Sequence, residues 1–417
     1  MKELLKQIIY DQKSLAWNES FVRRNFPEEY LTTTEIVVIS GIRRCGKSTL
    51  LQQIRSDNKE KDYYLNFDDE RLVKFKVEDF QVLLETFIEL CGLQKTFYFD
   101  EIQNIAGWEL FVRRLHDYGN KIFITGSNAT MLSRELGTHL TGRFIRHELF
   151  PFSFSEFLMF KGKKIAAEDF YQTEKKSEIQ ALFSEFFTSG GFPAYQKNQN
   201  DIYLKSLYET ILYRDVLVRN KLTSEKELLE LIYYLASNVT KLTSYNSLAK
   251  TLGVKNASTV KNYMQYIQNT YLIFQLSKFD YSVKKQIQNL RKVYFIDQAL
   301  ISKLGFLFSS EKGRLLENIV FIELQRRGLD IFYYNGKTEC DFLVRTGTKI
   351  TKAIQVCYSF DSPETKQREV KGLVEAMTTY SLETGLILTN DYSENISSEN
   401  LNIQITPVWK WLITGKL

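Results

Sequence analysis

The chain has 417 residues and a mass of 48.9 kDa, about three domains of ordinary size. With 44% hydrophobic and 25% charged residues it falls in the globular range, which excludes wholesale disorder and collagen-like or low-complexity architectures. Its 55 basic and 50 acidic side chains leave a net charge of +5, its mean hydropathy is −0.27, and no apolar run reaches the roughly 18 residues of a membrane span, so no membrane partner is expected.

The amino-terminal MKELLKQIIYDQKSLAW is interrupted by charge and does not read as a secretory leader. Four cysteines (Cys45, Cys91, Cys340, Cys357) and three histidines (His116, His139, His147) show no metal-type spacing. The expectation is reduced thiols in a cytoplasmic protein, with neither a disulfide framework nor a zinc site. Five prolines leave little room for Pro-rich linkers, so the domains should be closely joined.

In chain order, short β-rich apolar runs stand at residues 36–40 (IVVIS), 63–67 (YYLNF), 95–99 (KTFYF) and 121–125 (KIFIT). A helical pattern at 108–117, with Leu110, Phe111 and Leu115 at helical spacing, fits a crossover. Continuous apolar runs separated by helices are the mark of strands buried on both faces, which predicts an α/β domain with a parallel sheet over residues 1–155. Residues 156–222 turn helical and aromatic, as a lid or linker would. Residues 223–300 hold a compact helical stretch (224–270) and then two β-type runs (271–279 and 292–296). Residues 301–417 alternate again, with a helix near 313–326 and strands at 331–334, 341–344 and 352–358, which predicts a second, smaller α/β unit.

The first chemistry lies directly after the first strand. Gly41, Arg44, Cys45, Gly46, Lys47, Ser48 and Thr49 belong to GIRRCGKST, which satisfies G-x-x-x-x-G-K-[ST] between a strand and a helical run. The two glycines allow a tight backbone turn whose N–H groups point at phosphate oxygens, at the positive end of the next helix. Lys47 would reach the β- and γ-phosphates of ATP, and the Ser48 hydroxyl would bind Mg²⁺. The strand at 95–99 runs into Asp100 and Glu101, which fit a Mg²⁺-holding carboxylate and a base that polarises the attacking water. The strand after that ends in TGSN, where Ser127 or Asn128 would sit beside the γ-phosphate; the sequence does not choose between them.

The segments GIRRCGKSTLL, YFDEIQNIAGWE, ITGSNATMLSRELGTHLTGRF and ELFPFSFSEFL resemble the AAA-type ATPases widespread in bacteria and archaea, in which the ATPase module is fused to a poorly characterised C-terminal region. Later markers (GGFPAYQ at 190–196, YRDVLVRN at 213–220, then ECDFLV and IQVCYS) extend the resemblance, strong over 35–160 and looser beyond, to nearly the whole chain. It implies a P-loop domain, a helical lid, a winged-helix unit and a small restriction-endonuclease-like tail, working as a homo-oligomer. By the same resemblance Arg143 is the arginine finger offered to a neighbouring subunit, with Arg134 a weaker alternative; the bland reading is a surface arginine paired with Glu148 or solvent.

Residues 241–292 carry nine basic side chains and one acid, +8, while the remainder of the chain is at −3. The stretch reads as helix-turn-helix: a helix at 244–252 with Leu248 and Leu252 inward, a turn at Gly253, and a helix at 257–270 with Val260, Met264 and Ile267 inward. The opposite face offers Ser258, Thr259, Lys261, Asn262 and Gln265, and a basic loop at 281–291 bearing Lys284 and Lys285 would be a wing. DNA is the partner this chemistry fits; contact with an acidic protein surface is the alternative.

In the tail, Glu317 on a helix, Asp341 on one strand, and Gln355 and Cys357 on the next follow the layout of PD-(D/E)xK nucleases, which hold a divalent metal on carboxylates beside a lysine. The sequence departs from that pattern at two positions, with an amide at Gln355 for the second acid and a thiol at Cys357 for the lysine. Lys352 and Lys366 lie near in sequence. A retained fold without cleavage is the favoured expectation. Three functions are therefore carried forward: an ATPase coupled to DNA or a protein partner, an ATP-regulated nuclease, and an ATP-binding scaffold with negligible turnover.

Overall fold

The computed structural model describes residues 1–14, 21–127, 140–305, 311–398 and 401–415. Two units are distinguished: residues 1–150 with 269–271, and residues 151–268 with 272–417.

The first unit is built on five parallel strands, β1 (Ile36–Ser40), β2 (Tyr64–Asn66), β3 (Thr96–Asp100), β4 (Lys121–Gly126) and β5 (Phe144–Glu148), in the order β2-β3-β4-β1-β5. Every residue of β1 and β3 is buried, as continuous apolar runs require of a sheet covered on both faces. Helices Lys47–Ser56, Phe80–Cys91 and Trp108–Asp117 lie in the connections, because parallel strands need long crossovers. Helix Lys2–Ser14 sets Leu5, Ile8 and Ile9 at helical spacing into the same core as Phe80, Leu83, Phe87 and Phe97. Its Gln12 amide bonds the backbone of Asn66 in both directions, at 3.1 and 2.9 Å, so the edge strand β2 is capped by a side chain. Inserting β4 between β1 and β3 gathers the carboxyl ends of the three strands at one edge of the sheet.

The second unit contains a three-stranded antiparallel sheet, β6 (Leu242–Thr243), β7 (Ile273–Ser277) and β8 (Arg291–Phe295), in the order β6-β8-β7. Helices Glu225–Ser237, Tyr245–Thr251 and Ala257–Asn269 precede and join its strands. Val260, Met264 and Ile267 are buried, as their spacing predicts, with Tyr263 beside them; Leu248 is buried, and Leu252 only partly so. The connection expected as an open wing differs: Val283–Gln288 is a helix, started by Ser282, whose Oγ accepts the Lys285 N–H at 3.4 Å. The segment VKKQIQ is mostly good helix formers and has no Gly or Pro to force a tight turn.

A six-stranded sheet follows, adding β9 (Asp330–Asn335), β10 (Glu339–Thr346), β11 (Lys349–Cys357), β12 (Thr384–Thr389), β13 (Glu394–Ser398) and β14 (Leu401–Pro407), in the order β13-β14-β12-β11-β10-β9. Strands β9 to β11 form an antiparallel meander; β11, β12 and β14 run parallel, with helix Pro363–Tyr380 crossing from β11 to β12 and burying Leu373, Ala376 and Met377. The GGFPAYQ marker acquires a partner 106 residues on from Gly191. Asp297 caps helix Gln298–Leu304 through the Ala299 N–H at 2.9 Å and accepts the Gly191 N–H at 2.6 Å. Burial pushes the Asp297 carboxyl up to about 7 against those N–H groups and the Arg326 charge. Among the described residues no helix is long and apolar enough to cross a membrane.

Candidate functional site

Strand β1 ends at Ser40, and the chain turns through 41–46 into helix Lys47–Ser56. Gly41 adopts φ 154° with the Leu149 carbonyl where a side chain would be: a Cβ would stand 2.1 Å from that oxygen. Gly46 is left-handed at φ 105°, and Arg44 holds φ 67° without being glycine, so the loop is wound tightly and carries strain. Lys47 is only 4% exposed, and its Nζ donates to the carbonyls of Gly41 and Ile42, each at 3.2 Å. The same Nζ lies 3.7 Å from Glu101. The first turn of the helix directs unpaired N–H groups and the positive dipole end into this loop, and Ser48 and Thr49 sit in that turn. Cys45 contributes backbone only: its thiol points inward to the Leu149 carbonyl at 3.3 Å, and burial pushes its pKa up.

One residue that holds the loop has no signal in the motif. Arg24 is buried, and its guanidinium donates to the carbonyls of Cys45 at 2.9 Å and Phe150 at 2.6 Å. Its own backbone exchanges two hydrogen bonds with the Gln53 side chain, at 2.9 and 3.0 Å, tying it to the helix after the loop.

Asp100 and Glu101 occupy the end of β3. Asp100 is 1% exposed; the Thr125 hydroxyl of β4 donates to its Oδ1 and itself accepts the Glu101 N–H at 2.9 Å. Asp100 Oδ2 is buried and, among the described residues, has no hydrogen-bond partner of good geometry. Burial and then the Glu101 charge push the Asp100 carboxyl up to about 6, with the Thr125 and Ser48 hydroxyls and Lys47 opposing. A bare, buried carboxylate oxygen with a serine hydroxyl close by is the hard-oxygen donor set that Mg²⁺ takes, so these residues fit the ion. Glu101 adopts φ 53°, which turns its side chain out of the strand, where its Oε2 receives the Gln103 amide at 2.5 Å and the Ser127 hydroxyl at 3.4 Å. Lys47, Asp100, Glu101 and Ser127 are thus brought together, along with Thr125 and Gln103, which the motif does not name. Asn128 and Arg134 lie outside the described residues. Arg143 stands at the other end of β1, where its carbonyl accepts the Ile36 N–H at 2.8 Å. Its guanidinium pairs with Asp117 at 3.2 Å, so it is no part of its own chain's phosphate site.

In the second unit, Ser258, Lys261, Asn262, Gln265, Lys284 and Lys285 are exposed and Thr259 is half-buried. Ser258, Lys261 and Arg291 help line a groove of about 240 Å³. Lys292 does not belong with this basic surface, where its place in the charge count put it. It is 2% exposed, with Nζ 3.0 Å from Glu317, 2.8 Å from Asp341 and 2.7 Å from Glu339. Glu317 and Asp341 therefore meet, as the nuclease layout requires, but around a lysine from β8 rather than from β11. Gln355 uses its carbonyl on the Asp341 N–H at 3.1 Å and its amide on Glu369 at 2.6 Å. Cys357 directs its thiol to the Ser359 carbonyl, and burial pushes its pKa to about 12. Among the described residues no three His, Cys, Asp or Glu side chains are set to hold a metal.

A parallel sheet of this strand order, a glycine-rich loop from β1 into a helix, and acids at the end of β3 define the AAA class of P-loop proteins. A family model described as an AAA domain matches residues 33–158, and one described as a domain of unknown function (DUF8612) matches residues 180–311. An uncharacterized protein of Methanocaldococcus jannaschii is 35% identical, over 99% of this chain and 96% of its own. One of Haemophilus influenzae is 30% identical, over 96% of this chain and 99% of its own. The chain belongs to this archaeal and bacterial family, in which an AAA domain is followed by a DUF8612 domain. Among solved structures, the Aeropyrum pernix ORC2 protein in its ADP form aligns at TM-score 0.34 and 12% identity, covering 74% of this chain and 97% of that one. Drosophila ORC bound to DNA aligns at TM-score 0.22 and 11% identity, covering 70% and 94%. Likeness at these scores carries no inference.

Proposed function

We propose that this protein is an ATP hydrolase that uses Mg²⁺ and couples turnover to contacts made by its C-terminal region. Lys47 and the 41–49 loop would hold the phosphates, Ser48 and Asp100 the ion, and Glu101 would orient water, with Ser127 beside the γ-phosphate. The ion would neutralise charge developing on the phosphoryl oxygens. The observation that carries this reading is the bridge at the end of β3: the Thr125 hydroxyl joins Asp100 and the Glu101 backbone while Glu101 faces Lys47 across 3.7 Å. Arg143, which lies at the opposite end of β1 from its own phosphate loop, would act as a finger only toward a neighbouring copy, in a homo-oligomer. Four free cysteines fit a reducing, cytoplasmic setting.

On this reading residues 1–155 are the ATPase domain, 156–222 a lid, 223–300 a winged-helix unit and 301–417 a nuclease-like tail. The 257–269 helix would touch DNA through Ser258, Thr259, Lys261, Asn262 and Gln265, and Lys284 and Lys285 would reach phosphates. The groove lined by Ser258, Lys261 and Arg291, with cations and hydroxyls together, supports DNA over an acidic protein partner. The deciding experiment measures phosphate release by wild type and Glu101→Gln, with and without DNA. Turnover in wild type that disappears in the variant supports the reading; nucleotide binding without release in either would make the protein a scaffold. DNA affinity should fall steeply with salt, and Lys284→Ala with Lys285→Ala should flatten that dependence by about one unit of slope per lost contact.

A further inference from the structure

Lys292, Tyr294, Glu317, Asp341 and Gln355 form one buried polar cluster in the second unit, with the exposed Glu339 at its rim. An ammonium has three N–H donors. Two of them are hydrogen-bonded here, to Glu317 at 3.0 Å and Asp341 at 2.8 Å, and the exposed Glu339 carboxylate stands 2.7 Å away as a third ion-pair partner, so Nζ is surrounded by carboxylates. The two buried acids have further partners. Glu317 also accepts the Tyr294 hydroxyl at 2.7 Å, and Asp341 accepts the Val356 N–H at 3.0 Å through its other oxygen. Next in the chain from Tyr294, Phe295 exchanges two backbone hydrogen bonds with the Asn318 amide, at 2.8 and 2.9 Å, so helix Lys312–Arg326 grips β8 at adjoining residues.

We propose that Lys292 is a tethered counter-ion standing where a metal-dependent nuclease would hold its divalent cation, which fastens β8 to the tail and leaves the carboxylate pair closed to metal and to DNA cleavage. The inference rests on reading Glu317 and Asp341 as the nuclease-type pair. Burial supports it. A lysine that assists cleavage must face the phosphodiester, whereas Lys292 is 2% exposed and Asp341 6%. A covalently attached cation also differs from an ion in being neither titrated nor chelated away under ordinary conditions. Burial disfavours the charge, but Asp341 and Glu317 outweigh it and hold the Lys292 pKa well above its usual value.

The test uses the full-length chain without nucleotide, with Mn²⁺ as probe, followed by titration and by thermal unfolding. Wild type should show no Mn²⁺ site that depends on Asp341 and no metal-dependent cleavage of plasmid DNA. Lys292→Ala should unfold at lower temperature, recover on adding Mn²⁺, and bind it at least tenfold more tightly than wild type; Lys292→Ala with Asp341→Asn should lose the recovery. Mn²⁺ binding or cleavage by wild type that Asp341→Asn abolishes would overturn the proposal while supporting a working nuclease site, and needs no folded Lys292 variant. Lys292→Ala that folds but gains no Mn²⁺ site would overturn both the proposal and the nuclease-type reading of the acids.

Discussion

Two buried lysines in this protein sit beside carboxylates, and their surroundings differ in the way that separates a binding site from a joint. Lys47 is held by two carbonyls at 3.2 Å and one acid at 3.7 Å, in a loop whose backbone is strained. None of those contacts is a short charge-assisted bond, so an arriving phosphate can take them over at little cost. Lys292 has three acids within 3.0 Å and lies on a regular strand. To leave the two buried acids, Glu317 and Asp341, it would have to strand their charge away from water, which is expensive. Lysine beside carboxylate is therefore no functional signature on its own; the strength and burial of its contacts decide.

The sharpest way to break this comparison is to exchange the two phenotypes. Lys47→Ala and Glu101→Gln should each lower ATP turnover by a factor on the order of 100 to 10,000, with unfolding midpoints close to wild type. Phosphate release and urea titrations on the same preparations check this; turnover within threefold of wild type in either variant would remove that residue from the site. Lys292→Ala should do the reverse, costing about 3–5 kcal/mol of stability in the second unit by stranding buried acids, with ATP affinity unchanged. An unfolding curve that does not move would mean that the acids are wetter than their burial indicates.

Thr125→Val sharpens the first half of the comparison. It removes the hydroxyl shared by Asp100 and the Glu101 backbone, and should weaken Mg²⁺-dependent nucleotide binding by about 1–3 kcal/mol while sparing binding measured in EDTA. Equal losses in both conditions would show a general disturbance of β4 instead.

A last, pH-dependent effect concerns a buried acid with no lysine beside it. The folded pKa of Asp297, about 7, lies above its ordinary 3.8. The folded state therefore takes up the proton more readily, and stability from this group is complete below about pH 4 and lost as pH rises to about 7. Wild-type stability should decline relative to Asp297→Asn by up to about 1.4 kcal/mol per pH unit across that window and run level above it. A difference that is flat from pH 5 to 8 would mean that the carboxylate is ionised throughout.

Legibility followed sequence distance. The phosphate loop and its flanking strand and helix were readable because every part is local: two glycines at a fixed spacing, an apolar run before, a helical run after. Asp100 and Glu101 were readable for the same reason, as acids at the end of an apolar strand. Thr125 was not singled out, because its pairing with Asp100 depends on β4 lying beside β3. Arg24 carried no signal, since nothing in FVRRN says that one arginine will meet the Cys45 carbonyl. The wing was expected as a loop because composition alone does not separate a polar loop from a short exposed helix.

The amino-acid sequence by itself determined the class of the first domain, the residues that would face phosphate and metal, and the basic bias of residues 241–292. Those follow from backbone conformational preferences and hydrophobic periodicity, which act over a few residues. Only the tertiary structure decided that Lys292 leaves that basic surface and closes on Glu317 and Asp341. A lysine on β8 and acids 25 and 49 residues further on meet through strand register and the packing of one helix, and neither is written at the position of the lysine.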